Sequence, residues 1–277
     1  MTDPFGPSLA DESDYARVVY YGDPGSGKTT AASGLARLGK TLVYPFEPGL
    51  KKTALLARDV PVEYLIPRRM GEHFSDADEE FWSVKENGAE LVGASFDTMT
   101  AYVDTLKKEQ QAKIYAKGVR EADARGEEYT KPKTWMPRET YGEISDAVFP
   151  FIGDFSRLPL HLAWLAHVRR DEDDDGEVSY GPAVTPAIQK HLIAWSDVIM
   201  WTRRVGRYDD GRPVFLGTVA DSGKYVTKDR TDTLPSPHLV YPSMDRIVAY
   251  LNGDLTEKKD KLQQEFLKWA DQARKES

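Results

Sequence analysis

One octapeptide constrains this chain more than any other feature. Gly22-Asp23-Pro24-Gly25-Ser26-Gly27-Lys28-Thr29 fits the phosphate-binding pattern G-x-x-x-x-G-K-[ST] without a mismatch. It follows the apolar run Val18-Val19-Tyr20-Tyr21 and precedes a stretch in which Ala31, Leu35 and Leu38 share one helical face before Gly39 ends it. Strand, glycine turn and helix in that order bring successive backbone N–H groups to bear on an anion. The residues expected around the phosphates of ATP are Gly22, Asp23, Pro24, Gly25, Ser26, Gly27, Lys28, Thr29 and Thr30. Lys28 would place its charge at the β- and γ-phosphates, and the hydroxyl of Thr29 would meet Mg²⁺.

Composition narrows the remaining chemistry. Zero cysteines exclude disulfides, thiolate catalysis and cysteine zinc sites, and five scattered histidines leave little for an imidazole metal site. A metal in this chain is expected to be a hard ion. With 37 Lys+Arg against 45 Asp+Glu, the net charge of −8 argues against nucleic-acid binding over the whole surface, though not against a local basic groove. No apolar run approaches the ~18 residues of a membrane span, and the acidic segment 1–15 is unlike a secretory signal, so the expectation is a cytoplasmic protein without a membrane partner.

Short apolar runs alternate with helical stretches, the pattern of an α/β fold with a mostly parallel sheet flanked by helices. Runs expected as strands are Val18–Tyr21, Thr41–Phe46, Leu160–Ala166, Val198–Thr202 and Val214–Val219, with weaker ones at Val62–Leu65 and Leu91–Phe96. The core domain spans about 16–240. Within it, 104–138 is a Lys/Glu-rich insertion that reads as a solvated helix or hairpin, either passive or partner-binding. The remainder, 241–277, is a helical C-terminal extension in which Leu262, Phe266 and Trp269 recur at helical spacing, as in a helix packed on its own domain.

Two carboxylates complete the expected site. Asp97 follows the run Leu91–Phe96, where a metal-side carboxylate belongs. Its neighbour is Thr98 rather than a glutamate, so the water-activating base must come from elsewhere. Glu47 ends the strand after the phosphate-loop helix, in Phe46-Glu47-Pro48-Gly49, and the carboxyl ends of parallel strands share one crevice. Pro45 places this strand toward the sheet edge.

This order of parts resembles the RecA-like P-loop ATPases, in which the base lies on the strand after the phosphate loop. The resemblance runs from about Ala16 to Pro235 and is closest to the short phage-encoded RecA- and RadA-like single-strand annealing ATPases. It implies that His167, after Leu160–Ala166, is a γ-phosphate sensor. It also implies that Lys228 and Arg230, in Tyr225-Val226-Thr227-Lys228-Asp229-Arg230, reach a neighbouring subunit's ATP. Tyr141-Gly142 stands where the family has a Tyr-Gly pair heading the helix before the sensor strand. The resemblance further implies a head-to-tail homo-oligomer, ring or filament, acting on single-stranded DNA in recombination or annealing, in a host cell's cytoplasm, with a single-strand-binding or replication protein as a further partner.

One departure stands out. Where the family has a mobile DNA-binding loop, Asp171-Glu172-Asp173-Asp174-Asp175-Gly176-Glu177 would repel phosphates, and it reads as a solvated hairpin tip. That leaves DNA to Arg169, Arg170 and the stretch Lys107–Lys133, with Tyr115, Tyr129 and Trp135 as candidate stacking residues. Two other functions fit the phosphate loop: a kinase acting on a small molecule, and a nucleotide-gated module recruiting replication proteins.

Overall fold

The computed structural model describes residues 15–48, 51–68, 74–173, 175–220 and 222–276. The acidic segment 1–14, Gly49 and Asp174 lie outside the described residues. The strands are β1 (Arg17–Gly22), β2 (Thr41–Pro45), β3 (Leu65–Pro67), β4 (Gly93–Asp97), β5 (His161–Glu172), β6 (Val178–Pro182), β7 (Val198–Arg207), β8 (Pro213–Thr218), β9 (Lys228–Asp229) and β10 (His238–Val240). The helices are α1 (Lys28–Ala32), α2 (Lys52–Leu56), α3 (Phe74–Asn87), α4 (Met99–Arg125), α5 (Arg138–Phe155), α6 (Pro186–Trp195), α7 (Met244–Leu251) and α8 (Lys261–Glu276). The main sheet runs β10-β8-β7-β1-β5-β4-β2-β3, parallel from β3 through β7 and closed by antiparallel β8 and β10. This is the α/β architecture expected from the sequence, with the C-terminal helices in place.

β1 is central because both of its faces are apolar. Val19 and Tyr21 join the core beneath α4, α5 and α6, while Val18 and Tyr20 pack with Ala31, Leu35 and Ile247 on the other side. Aromatic rings tie three neighbouring strands together. Phe96 of β4 stacks on Tyr44 of β2 (4.8 Å between centroids) and on Trp164 of β5 (4.1 Å), and Phe155 of α5 meets Phe96 edge-on. Offset and edge-on pairs of this kind stabilise beyond the area they bury. They also fix the strand ends that carry Glu47, Asp97 and His167.

The structure corrects three expectations. The helix after the loop is a five-residue α1 that tightens into a 3₁₀ turn over Ser33–Arg37, so Leu38 rotates off the buried face and is 38% exposed. β2 is interior rather than an edge strand, since β4 and β3 flank it. Pro45 is tolerated there because Phe46 N–H donates toward β4, which turns the donorless proline nitrogen to the other side, where β3 has already ended. The run at 62–65 is mostly a 3₁₀ turn, and only Leu65–Pro67 enters the sheet.

The insertion is helix α4, whose first turns are buried through Met99, Tyr102, Val103 and Leu106 and whose remainder projects. Helix α8 packs Phe266 against Tyr208, Val214, Leu216 and Val240, as its spacing predicts. Among the described residues, no helix is long and apolar enough to cross a membrane.

Asp260 anchors that extension. Its buried carboxylate accepts from Tyr250 Oη at 2.7 Å, from Arg246, and from the N–H groups of Leu262 and Gln263 at the start of α8. Burial alone would raise this carboxyl, but Tyr250, Arg246 and the Gln263 N–H outweigh it and hold it below the ordinary range. A depressed carboxylate stabilises the fold above the unfolded-state pKa, and that stabilisation is lost as pH falls through the folded value. Asp260→Asn is expected to cost about 1.5–3 kcal/mol near neutral pH. The deficit should shrink below about pH 4, as the parent carboxyl also protonates. Urea unfolding of both proteins across that range checks it.

Candidate nucleotide site

The loop 22–27 is shaped by contacts only glycine permits at its two ends. A Cβ on Gly22 would lie 2.2 Å from the carbonyl oxygen of Thr202, and Gly27 sits at φ 93° with the Phe215 ring 2.9 Å from where its Cβ would be. Thr202 Oγ1 donates to Tyr21 O at 3.1 Å, and Ser26 Oγ lies 3.0 Å from Thr202 Oγ1, pinning the loop to β7. Asp23 O accepts from Ser26 N–H and Gly27 O from Ala31 N–H, which closes the turn into α1.

Lys28 is 6% exposed, and its ammonium donates to Gly22 O (2.8 Å) and Asp23 O (3.0 Å). Burial lowers its pKa, opposed by the charges of Asp97, Glu47 and Asp23. An ammonium has three donors, so these two loop carbonyls leave capacity for an anion. Thr29 Oγ1 donates to Asp97 Oδ2 at 2.6 Å. Burial, with Glu47 adding to it, raises the Asp97 carboxyl, while the Thr29 hydrogen bond, Lys28 and His167 pull it down.

This donor set fits Mg²⁺. It offers one hydroxyl and one carboxylate, both hard oxygens, and no cluster of three or more His, Cys, Asp or Glu suited to a metal exists among the described residues. Mg²⁺ characteristically uses one or two carboxylates and takes its remaining ligands from phosphate and water.

Glu47 and His167 meet at the same crevice. His167 Nε2 and Glu47 Oε2 are 3.0 Å apart, both side chains about one-third exposed. The N–H groups of Phe46 and Glu47 both donate to Asp97 O, at 2.7 and 3.3 Å, so the β2 end is fastened to the carboxylate-bearing end of β4. His167 pairs with Gly22 at the last β1 register position, and its N–H donates to Thr100 Oγ1 at 3.0 Å. Its Nδ1 is buried without a hydrogen-bond partner. β5 does not stop at His167, as the apolar run suggests, but continues to Glu172 in a hairpin with β6.

Lys28, Thr29, Asp97, Glu47 and His167 are thus brought together. Lys228 and Arg230 are not. β9 pairs with Val198 and Ile199, the first residues of β7, whereas the loop adjoins Thr202 further along that strand. Lys228 Nζ donates to Ile193 O and Ser196 O at the end of α6, and Arg230 donates to Ala194 O and Asp197. Burial lowers the pKa of Lys228, and the charge of Arg230 adds to the lowering. Within one chain both residues therefore tie α6 to β7.

The expected DNA contacts are also engaged internally. Arg169 holds Asp171, Val184 O and Gln189, and Arg170 holds Glu172. The described residues of the acidic run are exposed, and Asp173 Oδ1 accepts the N–H groups of Asp175 and Glu177. Tyr115 and Tyr129 pack edge-on against each other, and Lys131 covers the ring of Trp135. The residues that sequence reasoning misses are Thr100 and Thr202, which hold His167 and the loop. Thr202 closes an apolar run, and that was its only signal.

A family model described as an AAA domain (AAA_24) matches residues 14–231 of the chain. No curated protein matches it.

Proposed function

The chain belongs to the AAA domain family of P-loop NTPases, and from that premise we propose a Mg²⁺-dependent ATPase that places its catalytic base on β2 and acts on single-stranded DNA as a head-to-tail assembly. The observation that carries the catalytic part is the fastening of Glu47 to the Asp97 strand end, with the Glu47 carboxylate held by His167. Lys28 would turn its remaining donor capacity to β- and γ-phosphate oxygens, and Thr29 and Asp97 would hold the metal. Bound Mg²⁺ supplies neutralisation of the charge developing on the phosphates. Glu47 accepts the proton of the attacking water. His167 Nε2–H orients that carboxylate, a role beside the γ-phosphate sensing that the family resemblance implies for it.

Support for DNA is a local excess of positive charge on the arm formed by α4 and the segment returning from it. Residues 104–138 hold nine Lys/Arg against six Asp/Glu in a chain whose net charge is −8. The Glu47-bound His167 lies on the strand that runs on into the β5–β6 hairpin, so a ligand at that end bears on the base. In an assembly, Lys228 and Arg230 would leave their α6 partners to serve a neighbour's phosphates, adding the second cation that phosphoryl transfer exploits.

The expected result is ATP turnover that rises with single-stranded DNA and loses this stimulation as salt increases, because few Lys and Arg contacts act against a repulsive background. Replacing Lys108, Lys117 and Arg120 together by Ala should lower DNA affinity and the salt slope without changing DNA-free turnover. Turnover indifferent to DNA at low salt, with no mobility shift, would remove DNA from the proposal.

A further inference from the structure

We propose that the cavity of about 570 Å³ between the turn joining β7 to β8 and helix α8 docks an acidic peptide segment of a partner protein, with Lys258, Lys261 and Lys268 reading its charge. The inference draws on no part of the nucleotide reading. Tyr208 and Arg212 wall the cavity on the side of the turn, and the three lysines and Trp269 wall it on the side of the helix. Its volume lies within the roughly 300–1,000 Å³ of ligand sites.

Helical spacing makes the two kinds of wall. Leu262, Phe266 and Trp269 turn toward the sheet, where Phe266 meets Tyr208, Val214, Leu216 and Val240. Lys261, Glu265 and Lys268 form the adjoining stripe along the cavity. At the base the Trp269 ring meets the Tyr208 ring edge-on, with 5.6 Å between centroids, and covers Gly206. The Tyr208 hydroxyl is buried without a hydrogen-bond partner, so the wall holds a donor that the chain itself does not use.

Charge in the lining is divided unequally. Arg212 is committed, since it donates to Asp210 and, at 2.6 Å, to Glu265. Glu265 is the acid that helical spacing would otherwise offer to Lys261 and Lys268. With Glu265 taken, Lys258, Lys261 and Lys268 are exposed and make no ion pair among the described residues. The lining therefore carries four Lys/Arg against three Asp/Glu in a chain whose net charge is −8. Mixed signs favour a peptide over a phosphate chain. Gln264 spends its amide N–H on Glu257 O, which leaves its Oε1 as an acceptor beside the carboxylate of Asp209. A peptide backbone supplies N–H donors to such groups, its acidic side chains answer the lysines, and an apolar side chain between them fits the Trp269 ring. A phosphate chain offers acceptors only.

Fluorescence polarisation of the full chain with a short labelled peptide of aspartate and phenylalanine tests this, at low and high salt. The parent should bind it, more weakly as salt rises, and should lose about tenfold when asparagine replaces the aspartates. Lys261→Glu combined with Lys268→Glu should cost about tenfold or more. Lys52→Glu combined with Lys190→Glu, which changes net charge equally at exposed sites elsewhere, should stay within about twofold. A glutamate at position 261 suits the first turn of α8, so the first pair should unfold in urea like the parent. A parent that ignores the peptide, equal binding of the asparagine version, or equal losses in the two pairs would overturn the site. Oligothymidylate that binds more tightly than the peptide and is weakened by the first pair alone would make this a nucleic-acid surface and overturn the peptide as well.

Discussion

Glu47→Gln is expected to bind ATP within a few-fold of the parent and to hydrolyse it roughly 10²- to 10⁴-fold more slowly, the usual contribution of a positioned base. The amide preserves shape and still meets His167, so the crevice between β2 and β5 keeps its geometry. It lacks the carboxylate lone pair that takes the proton of water. Paired nucleotide-binding and turnover assays on the same preparation check the split. Near-parental turnover in Glu47→Gln would show that the base lies elsewhere and would remove the argument for the β2 position.

Lys28→Ala should fail earlier, at binding. The variant loses charge-assisted contacts worth about 1.5–3 kcal/mol, roughly 10- to 150-fold in affinity. Turnover at saturating ATP should fall by a further 10²- to 10³-fold or so, because the same cation faces the charge that develops on transfer. Folding should be unaffected. Lys28 bonds only Gly22 O and Asp23 O within its own loop, and its burial opposes its charge. Calorimetric ATP titration with thermal unfolding as the companion measurement tests both halves. Unchanged affinity would separate the octapeptide from nucleotide binding.

The fold was largely legible because its information is local. Val18–Tyr21 is apolar on both faces, as a central parallel strand requires, and the glycine turn after it is read directly from residue types. The positions of Asp97 and Glu47 at neighbouring strand ends were legible because a carboxylate after an apolar run falls at the carboxyl end of a strand, where parallel topology gathers side chains. What the sequence did not disclose depends on tertiary pairing. That β3 stops before Pro45, making an interior position for proline harmless, is a matter of register. The 3₁₀ tightening that exposes Leu38 is invisible to a 3.6-residue period. For Lys228 and Arg230 the family resemblance implied a reach to a neighbouring subunit's ATP; within one chain each makes specific bonds at the end of α6.

Product stoichiometry with Mg-ATP alone tests the central claim most directly, with Glu47→Gln as the control. The account predicts that the parent releases inorganic phosphate mole for mole with ADP over many turnovers, and that the control binds ATP but releases neither at a comparable rate. ADP accumulating without matching phosphate when a small acceptor is added would indicate phosphoryl transfer rather than hydrolysis. That result, or a parent that binds ATP and never turns it over, would contradict the account.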